Sequence, residues 1–187
     1  MRICGLILAA GEGRRIGKPK AILEIGDRFL SDIQYDLLSS CEVSESRIVI
    51  GAEAERVSKM LRHTDAIIIN SEYKLGQFSS IVAGISALTS CDGILILPVD
   101  TYPLDKEVIS ALISGFDPAF DATIPIYQNR RGHPVIISSH LAQRLTSLDR
   151  SSSRLDEILR TSHLKLISTS SPTILNNINY TTDLDGK

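Results

Sequence analysis

Residues 6–20 read LILAAGEGRRIGKPK. An apolar run ends in two alanines, glycines follow at 11 and 13, and four basic side chains (Arg14, Arg15, Lys18 and Lys20) crowd into seven positions. Consecutive Ile and Leu at strand length predict a strand buried on both faces. Glycines directly after such a strand let main-chain N–H groups close on phosphate oxygens with no Cβ in the way. The chain as a whole has 20 Lys+Arg against 22 Asp+Glu, a formal net charge of −2. The positive charge is therefore local, and no general attraction to nucleic acid or anionic lipid is indicated.

Working outward, 187 residues at 43% apolar and 22% charged fit one domain with a sizeable core. The apolar run at the N-terminus is too short for a membrane span, and no small-residue cleavage site precedes the glycines, so RICGLILAA is read as a first strand and not a signal peptide. Cys4, Cys41 and Cys91 are odd in number and far apart. That argues against a disulfide framework or a cysteine zinc site and fits a reducing, cytoplasmic setting.

ICGLILA, RIVIG, AIIIN and GILILPVD read as buried strands, and LSDIQYDLLSS, AERVSKMLR and SSIVAGISALT as helices between them. The alternation predicts an α/β fold: a largely parallel sheet with helices on both faces and ligands at the edge where strands pass into helices. In the second half, DATIPI and GHPVIIS flank the turn YQNRR, helices are expected near SHLAQRLTSL and SSRLDEILR, and LKLIS and TILNNIN read as two last strands. Some antiparallel pairing is expected there, within the same single domain over residues 1–187.

Two phosphate-binding patterns fit the first turn poorly. Gly11, Gly13 and Gly17 are spaced G-x-G-x-x-x-G, one residue too long for a dinucleotide fingerprint, and Pro19 stands where a Walker loop needs its metal-binding hydroxyl. LAAGEGRRIGKPK instead resembles L-A-A-G-x-G-x-R-x-G-x-P-K, the signature loop of MobA-like nucleotidyltransferases, which include molybdenum-cofactor cytidylyltransferase. The resemblance implies a glycosyltransferase-A-like (nucleotide-diphospho-sugar transferase) fold, a three-layer α/β/α sandwich around a mostly parallel mixed sheet. It implies that Leu8, Ala9, Ala10, Gly11 and Gly13 hold the nucleotide and that Arg15 and Lys20 are catalytic, neutralising a triphosphate.

Five further stretches match in the family's order, and together with the loop they span residues 3–185. SEYKLGQFSSIVAGISAL is similar to N-P-x-x-x-x-G-Q-x-S-S-I-x-A-G-x-x-A-L, with Ser71-Glu72 in place of Asn-Pro. It implies Gly76, Gln77, Ser79 and Ser80 beside the nucleobase; either serine also qualifies as a helix N-cap. ILILPVDTYPL resembles the strand ending in [GV]-D-x-P-L, with one extra residue before Pro103, and assigns Asp100 to Mg²⁺. RRGHPVIISSHL resembles R-x-G-H-P-V and puts Gly132 and His133 on the acceptor side; His133 is equally read as a turn residue. In LTSLDRSSSRLDEIL, Asp149 and Arg154 align with an acceptor-side loop whose glycines are here Leu148 and Ser152. NINYTTDLD is similar to D-I-D-T-P-E-D-L, with Asn179 replacing a metal-side carboxylate; Asn179 binds the ion through its amide oxygen or only satisfies neighbouring backbone.

The implied reaction is transfer of a nucleoside monophosphate group from a nucleoside triphosphate, CTP before GTP, to a phosphorylated small molecule of the molybdopterin type, with Mg²⁺ as cofactor and no nucleic acid or membrane partner. A guanylyltransferase of the same cofactor, a sugar-phosphate nucleotidyltransferase and a non-catalytic nucleotide-binding module stay open as alternatives.

Overall fold

In the computed structural model of the chain, residues 1–180 and 183 are described. All four apolar runs form strands: β1 (Ile3–Leu8), β4 (Glu45–Ile50), β5 (Ile67–Ile69) and β6 (Gly93–Pro98). β1 pairs in parallel with β4 on one side and β6 on the other, and β4 pairs in parallel with β5. The second half adds β7 (Ala122–Tyr127), β8 (Arg130–Arg131), β9 (Val135–Ser138) and β10 (Leu164–Ser168), giving the order β10-β7-β9-β6-β1-β4-β5 with β8 on β7. β9 is antiparallel to both β6 and β7, while β10 and β7 run parallel. The expected mixed, mostly parallel sheet is present. A two-stranded hairpin, β2 (Glu24–Ile25) with β3 (Arg28–Phe29), lies outside it.

The sheet is buried on both faces because its central strands are apolar at every position. Ile3 and Ile7 of β1, with Leu95 and Leu97 of β6, enter one core; Leu6 and Leu8, with Ile94 and Ile96, enter the other. The first core is covered by α1 (Leu30–Ser39), α2 (Ala54–Met60) and α4 (Lys106–Gly115). The second is covered by α3 (Gln77–Ala87), α5 (Ser139–Thr146) and α6 (Leu155–Arg160). Two packed helix layers around one sheet are the three-layer sandwich expected.

Three features depart from the sequence reading. Helix α4 was not anticipated, although Val108, Ile109 and Leu112 are buried at helical spacing after Asp105 in the N-cap position. TILNNIN is not a strand: Pro172 starts a 3₁₀ turn over Pro172–Leu175, and the buried apolar residues, Ile174 and Ile178, are four apart instead of alternating. Cys4 and Cys91 are joined by a disulfide with their Cα atoms 6.0 Å apart, which corrects the expectation that no disulfide forms. Their sequence separation of 87 vanishes in space because the β1–β6 register sets Cys4 beside Ile94. Cys41 is the free cysteine. Among the described residues no helix is long and apolar enough to cross a membrane.

Candidate functional site

Ligands of open α/β sheets bind where the strand order reverses, at the carboxyl ends of the strands. Here the chain builds β4 and β5 to one side of β1 and then crosses to place β6 on the other. The crevice between the ends of β1 and β6 is that reversal. The glycine turn leaves β1 into it, and Asp100 follows β6 into it. A cavity of about 280 Å³ results, lined by Leu8, Ala9, Ala10, Gly11, Gly13 and Lys20 from the turn and by Pro98, Val99 and Asp100 from β6 and beyond. Its third wall is Tyr73, Gly76, Gln77 and Ser80.

The turn is held by its own backbone. Gly13 has φ +61°, and its carbonyl accepts from the amides of Ile16 and Gly17, both at 2.9 Å. A Cβ there would lie 1.9 Å from the Lys18 carbonyl oxygen, so only glycine closes this turn. Lys20 then opens a short 3₁₀ turn whose Ala21 and Ile22 are buried. Its ammonium reaches back across the crevice, Nζ to Asp100 Oδ2 at 2.6 Å, with both side chains about four-fifths covered (20% and 23% exposed). Asp100 is fixed from behind. The fully buried Gln34 of α1 donates from Nε2 to the carbonyls of Val99 (3.3 Å) and Thr101 (2.7 Å), and the Ile178 amide donates to the Asp100 carbonyl (2.9 Å).

On the far wall, α3 begins after Gly76. Neither serine is its N-cap. Ser79 is fully buried; its hydroxyl donates toward the carbonyls of Glu72 and Gly76 and accepts from the Asn70 side-chain amide. It shapes the wall from behind and does not line the cavity. Ser80 does line it, and also accepts from Asn70. Tyr73, Pro98 and Val99 are cavity residues the sequence reading missed. Tyr73 had a signal: Gly51, where a Cβ would meet the Tyr73 ring carbon at 2.7 Å, makes room for it, but that pairing spans 22 positions and is visible only in three dimensions.

Next to the cavity a second recess is lined by Gly13, Arg14, Arg15, Ile16, Lys20 and Asn179. Arg15 also lies over the Tyr180 ring, 6.0 Å from its centre. Asn179 thus arrives beside Lys20 from the other end of the chain. The amides of Asn179 and Tyr180 donate to the Asp183 carboxylate at 2.7 and 2.9 Å, which folds this turn; Asp183 was not singled out from sequence. Thr181, Thr182, Leu184 and Asp185 of the same stretch lie outside the described residues.

Gly132 and His133 stand near this end of the site. Gly132 packs so closely on Ile174 that a Cβ would lie 2.4 Å from its carbonyl oxygen, and its amide donates to the Pro125 carbonyl. Its role in the fold is to let these segments touch. His133 is exposed at its surface, yet protein atoms crowd around its ring. Burial pulls its pKa below the usual histidine value, opposed by the negative charge of Asp100. Arg154 is exposed at the start of α6 and pairs loosely with Glu157 at 4.0 Å; no contact brings it to the cavity. In the same loop Asp149 Oδ1 accepts from the amides and hydroxyls of Ser151 and Ser152, which hold its carboxyl far below the usual range. Arg150 pairs with Glu72 at 2.5 Å, tying the loop to the segment that carries Tyr73.

The donor set facing the crevice is one carboxylate, Asp100, the side-chain amides of Gln77 in the cavity and Asn179 in the adjoining recess, and cations. No cluster of three or more His, Cys, Asp or Glu suited to a metal occurs among the described residues. One carboxylate with neighbouring amide oxygen fits a hard cation that takes its remaining ligands from phosphates and water, as Mg²⁺ does.

Comparison with known proteins agrees with the fold. The model of the MobA-like NTP transferase domain matches residues 5–166. The nicotine blue oxidoreductase of Paenarthrobacter nicotinovorans is 29% identical over 153 residues, 78% of this chain and 75% of that protein. The molybdenum cofactor guanylyltransferase of Cereibacter sphaeroides is 34% identical over 104 residues, 54% of this chain and 51% of that one. The crystal structure of molybdopterin-guanine dinucleotide biosynthesis protein A from Archaeoglobus fulgidus superposes with a TM-score of 0.70 at 19% identity, covering 99% of this chain and 95% of that one. The chain spans between 25% and 75% of the length of the first curated relatives it matches.

Proposed function

The chain belongs to the MobA-like NTP transferase family, and from that premise we propose that it transfers a nucleoside monophosphate group from a nucleoside triphosphate to a phosphorylated small molecule of the molybdopterin type, releasing pyrophosphate. The observation that carries this reading is the meeting of Lys20 and Asp100 at 2.6 Å on the lip of a cavity walled by the glycine turn.

In the proposed reaction an oxygen of the acceptor phosphate attacks the α-phosphorus, and the bond from the α-phosphorus to the bridging oxygen of the β-phosphate breaks. A phosphate monoester is already nucleophilic at neutral pH, so the protein has no proton to remove; its task is positioning and charge neutralisation. The turn formed by Gly11 and Gly13 presents backbone to the polyphosphate. Lys20 and Arg15 neutralise the pyrophosphate as it leaves, one as a mobile point charge and the other as a planar fork. Leu8, Ala9, Ala10, Tyr73, Gly76, Gln77 and Ser80 enclose the nucleoside end. Asp100, with the amide oxygen of Asn179, would hold Mg²⁺. When bound, the cation draws electron density from the phosphates and so favours attack at phosphorus. The acceptor would lie on the side of His133, which at neutral pH is uncharged and adds no positive charge of its own. Arg154 joins the acceptor only if its loop moves. The reaction is placed in the cytoplasm, where nucleoside triphosphates are made.

The sequence favours CTP as donor, whereas curated relatives carry the name guanylyltransferase; base choice is decided by a screen. Purified protein is incubated with Mg²⁺, each α-labelled triphosphate and molybdopterin, and pyrophosphate release is measured. Release with one triphosphate and dependent on one acceptor is expected. Lys20→Ala and Asp100→Ala should each lose about a hundredfold in rate, on the order of 3 kcal/mol. Full transfer by either variant would refute the assignment. The relative named nicotine blue oxidoreductase favours a second reading, an oxidoreductase acting on nicotine blue. Redox turnover of nicotine blue, with no pyrophosphate released in the screen, would establish it instead.

A further inference from the structure

Lys20 and Asp100 are paired to each other, although the proposed reaction assigns them to different partners: Lys20 to the polyphosphate and Asp100 to the divalent cation. We propose that Lys20 is also a gate: with no nucleotide bound, its ammonium occupies the place on Asp100 that the cation takes, so the site admits cation and triphosphate together and refuses the cation alone. The inference rests on the nucleotidyl-transfer reading of this cavity.

The charge balance makes the argument. A lone divalent cation would have to displace the ammonium from Asp100 and leave it, with no anion to receive it, beside a like charge. A lone triphosphate would bring several negative charges against Asp100. When both arrive, Lys20 turns to the phosphates and Asp100 to the cation, and every charge keeps an opposite partner. The two halves of the pair are built for such an exchange. Asp100 is held still by Gln34 on its flanking carbonyls and by the Ile178 amide on its own. Lys20 is anchored only at its backbone, where Ala21 and Ile22 are buried, and ends in a flexible four-carbon stem. Gly13 and Lys20 line both the cavity and the adjoining recess, so the ammonium has open space on either side into which to turn. The swap needs side-chain rotation alone, a fast motion in a partly exposed residue.

The test is binding of Mn²⁺, a paramagnetic substitute for Mg²⁺, measured by electron paramagnetic resonance with no nucleotide present. Lys20→Gln should bind Mn²⁺ alone about tenfold or more tighter than the unaltered protein. Lys18→Gln removes the same charge two positions away, where it pairs with Glu24, and should change nothing. Asp100→Asn added to Lys20→Gln should abolish the gain. Lys20→Met supplies a second neutral side chain should the glutamine variant fail to fold. Adding a non-hydrolysable triphosphate should tighten Mn²⁺ binding strongly in the unaltered protein and much less in Lys20→Gln. Equal Mn²⁺ affinity with and without the lysine, or an equal gain in Lys18→Gln, overturns the gate while leaving nucleotidyl transfer standing. Absence of any triphosphate binding in the presence of Mn²⁺ overturns the transfer reading, and the gate with it.

Discussion

The side-chain amide of Gln34, on the first helix, donates to the backbone carbonyl of Thr101 at 2.7 Å, 67 positions away. With its weaker bond to Val99 it brackets Asp100 from both sides. Replacing it by leucine leaves two buried carbonyls short of a donor. Gln34→Leu should therefore cost about 1–3 kcal/mol of stability and, unlike other core changes of that size, raise the Mg²⁺ concentration needed for half-maximal transfer. Chemical denaturation and a Mg²⁺ titration read the two effects; a stability loss with unchanged Mg²⁺ dependence would show that the clamp does not position Asp100.

Gly11 and Gly13 should separate ligand space from backbone need. No heavy atom lies within 4 Å of a Cβ built on Gly11, while one on Gly13 would collide with the Lys18 carbonyl. Gly11→Ala is expected to melt like the unaltered protein yet bind triphosphate at least several-fold more weakly, because its methyl enters the cavity. Gly13→Ala should lose both stability and binding. Thermal melts and titration with a fluorescent triphosphate distinguish them; undiminished binding by Gly11→Ala would remove the backbone cradle from the mechanism.

The Cys4–Cys91 disulfide closes a loop of 87 residues' separation. By loop entropy a cross-link of that span is worth about 4.6 kcal/mol. Thiol titration of the denatured, unreduced protein should find a single free thiol, that of Cys41, and reduction should lower the melting temperature. Three free thiols in protein purified from the cytoplasm under non-reducing conditions would show that the bond does not form there.

His133 should titrate below the ordinary histidine value of about 6.5, because burial disfavours its charged form. Asp100 opposes that shift, so Asp100→Asn should lower the His133 pKa further. The sign for stability follows: the unfolded chain takes up the proton first, so the folded state is favoured fully above pH 6.5 and loses that contribution as pH falls toward the folded pKa. Imidazole proton shifts followed by NMR across pH 4–8 measure both variants. An unchanged His133 pKa on removing Asp100 would show that the two groups do not sense each other.

Much of this protein is legible one stretch at a time. Strand positions in 3–8, 67–69 and 93–98, and the 48–50 end of 45–50, follow from runs rich in Ile, Leu and Val, because a strand covered on both faces has no polar side. The glycine turn and Asp100 were legible for the same local reason, since each directly follows such a strand; Lys20, twelve positions beyond β1, was legible only from its place in the loop motif. The last segment misled because TILNNIN has strand composition, while Pro172 and the four-residue spacing of Ile174 and Ile178 dictate a turn and an extended tether.

Composition and short spacing along the chain were enough for the largely parallel α/β architecture and for the sheet edge at which a ligand is expected, while the residues proposed to meet that ligand came from the resemblance of the loop and strand-end motifs. Tertiary structure alone decided that Lys20 rests on Asp100, that Ser79 serves the wall and not the cavity, that Tyr73 fills a space left by Gly51, and that Cys4 finds Cys91. Each of those depends on the distance between segments far apart in the chain, and that distance is fixed by strand order and register, which no local stretch encodes.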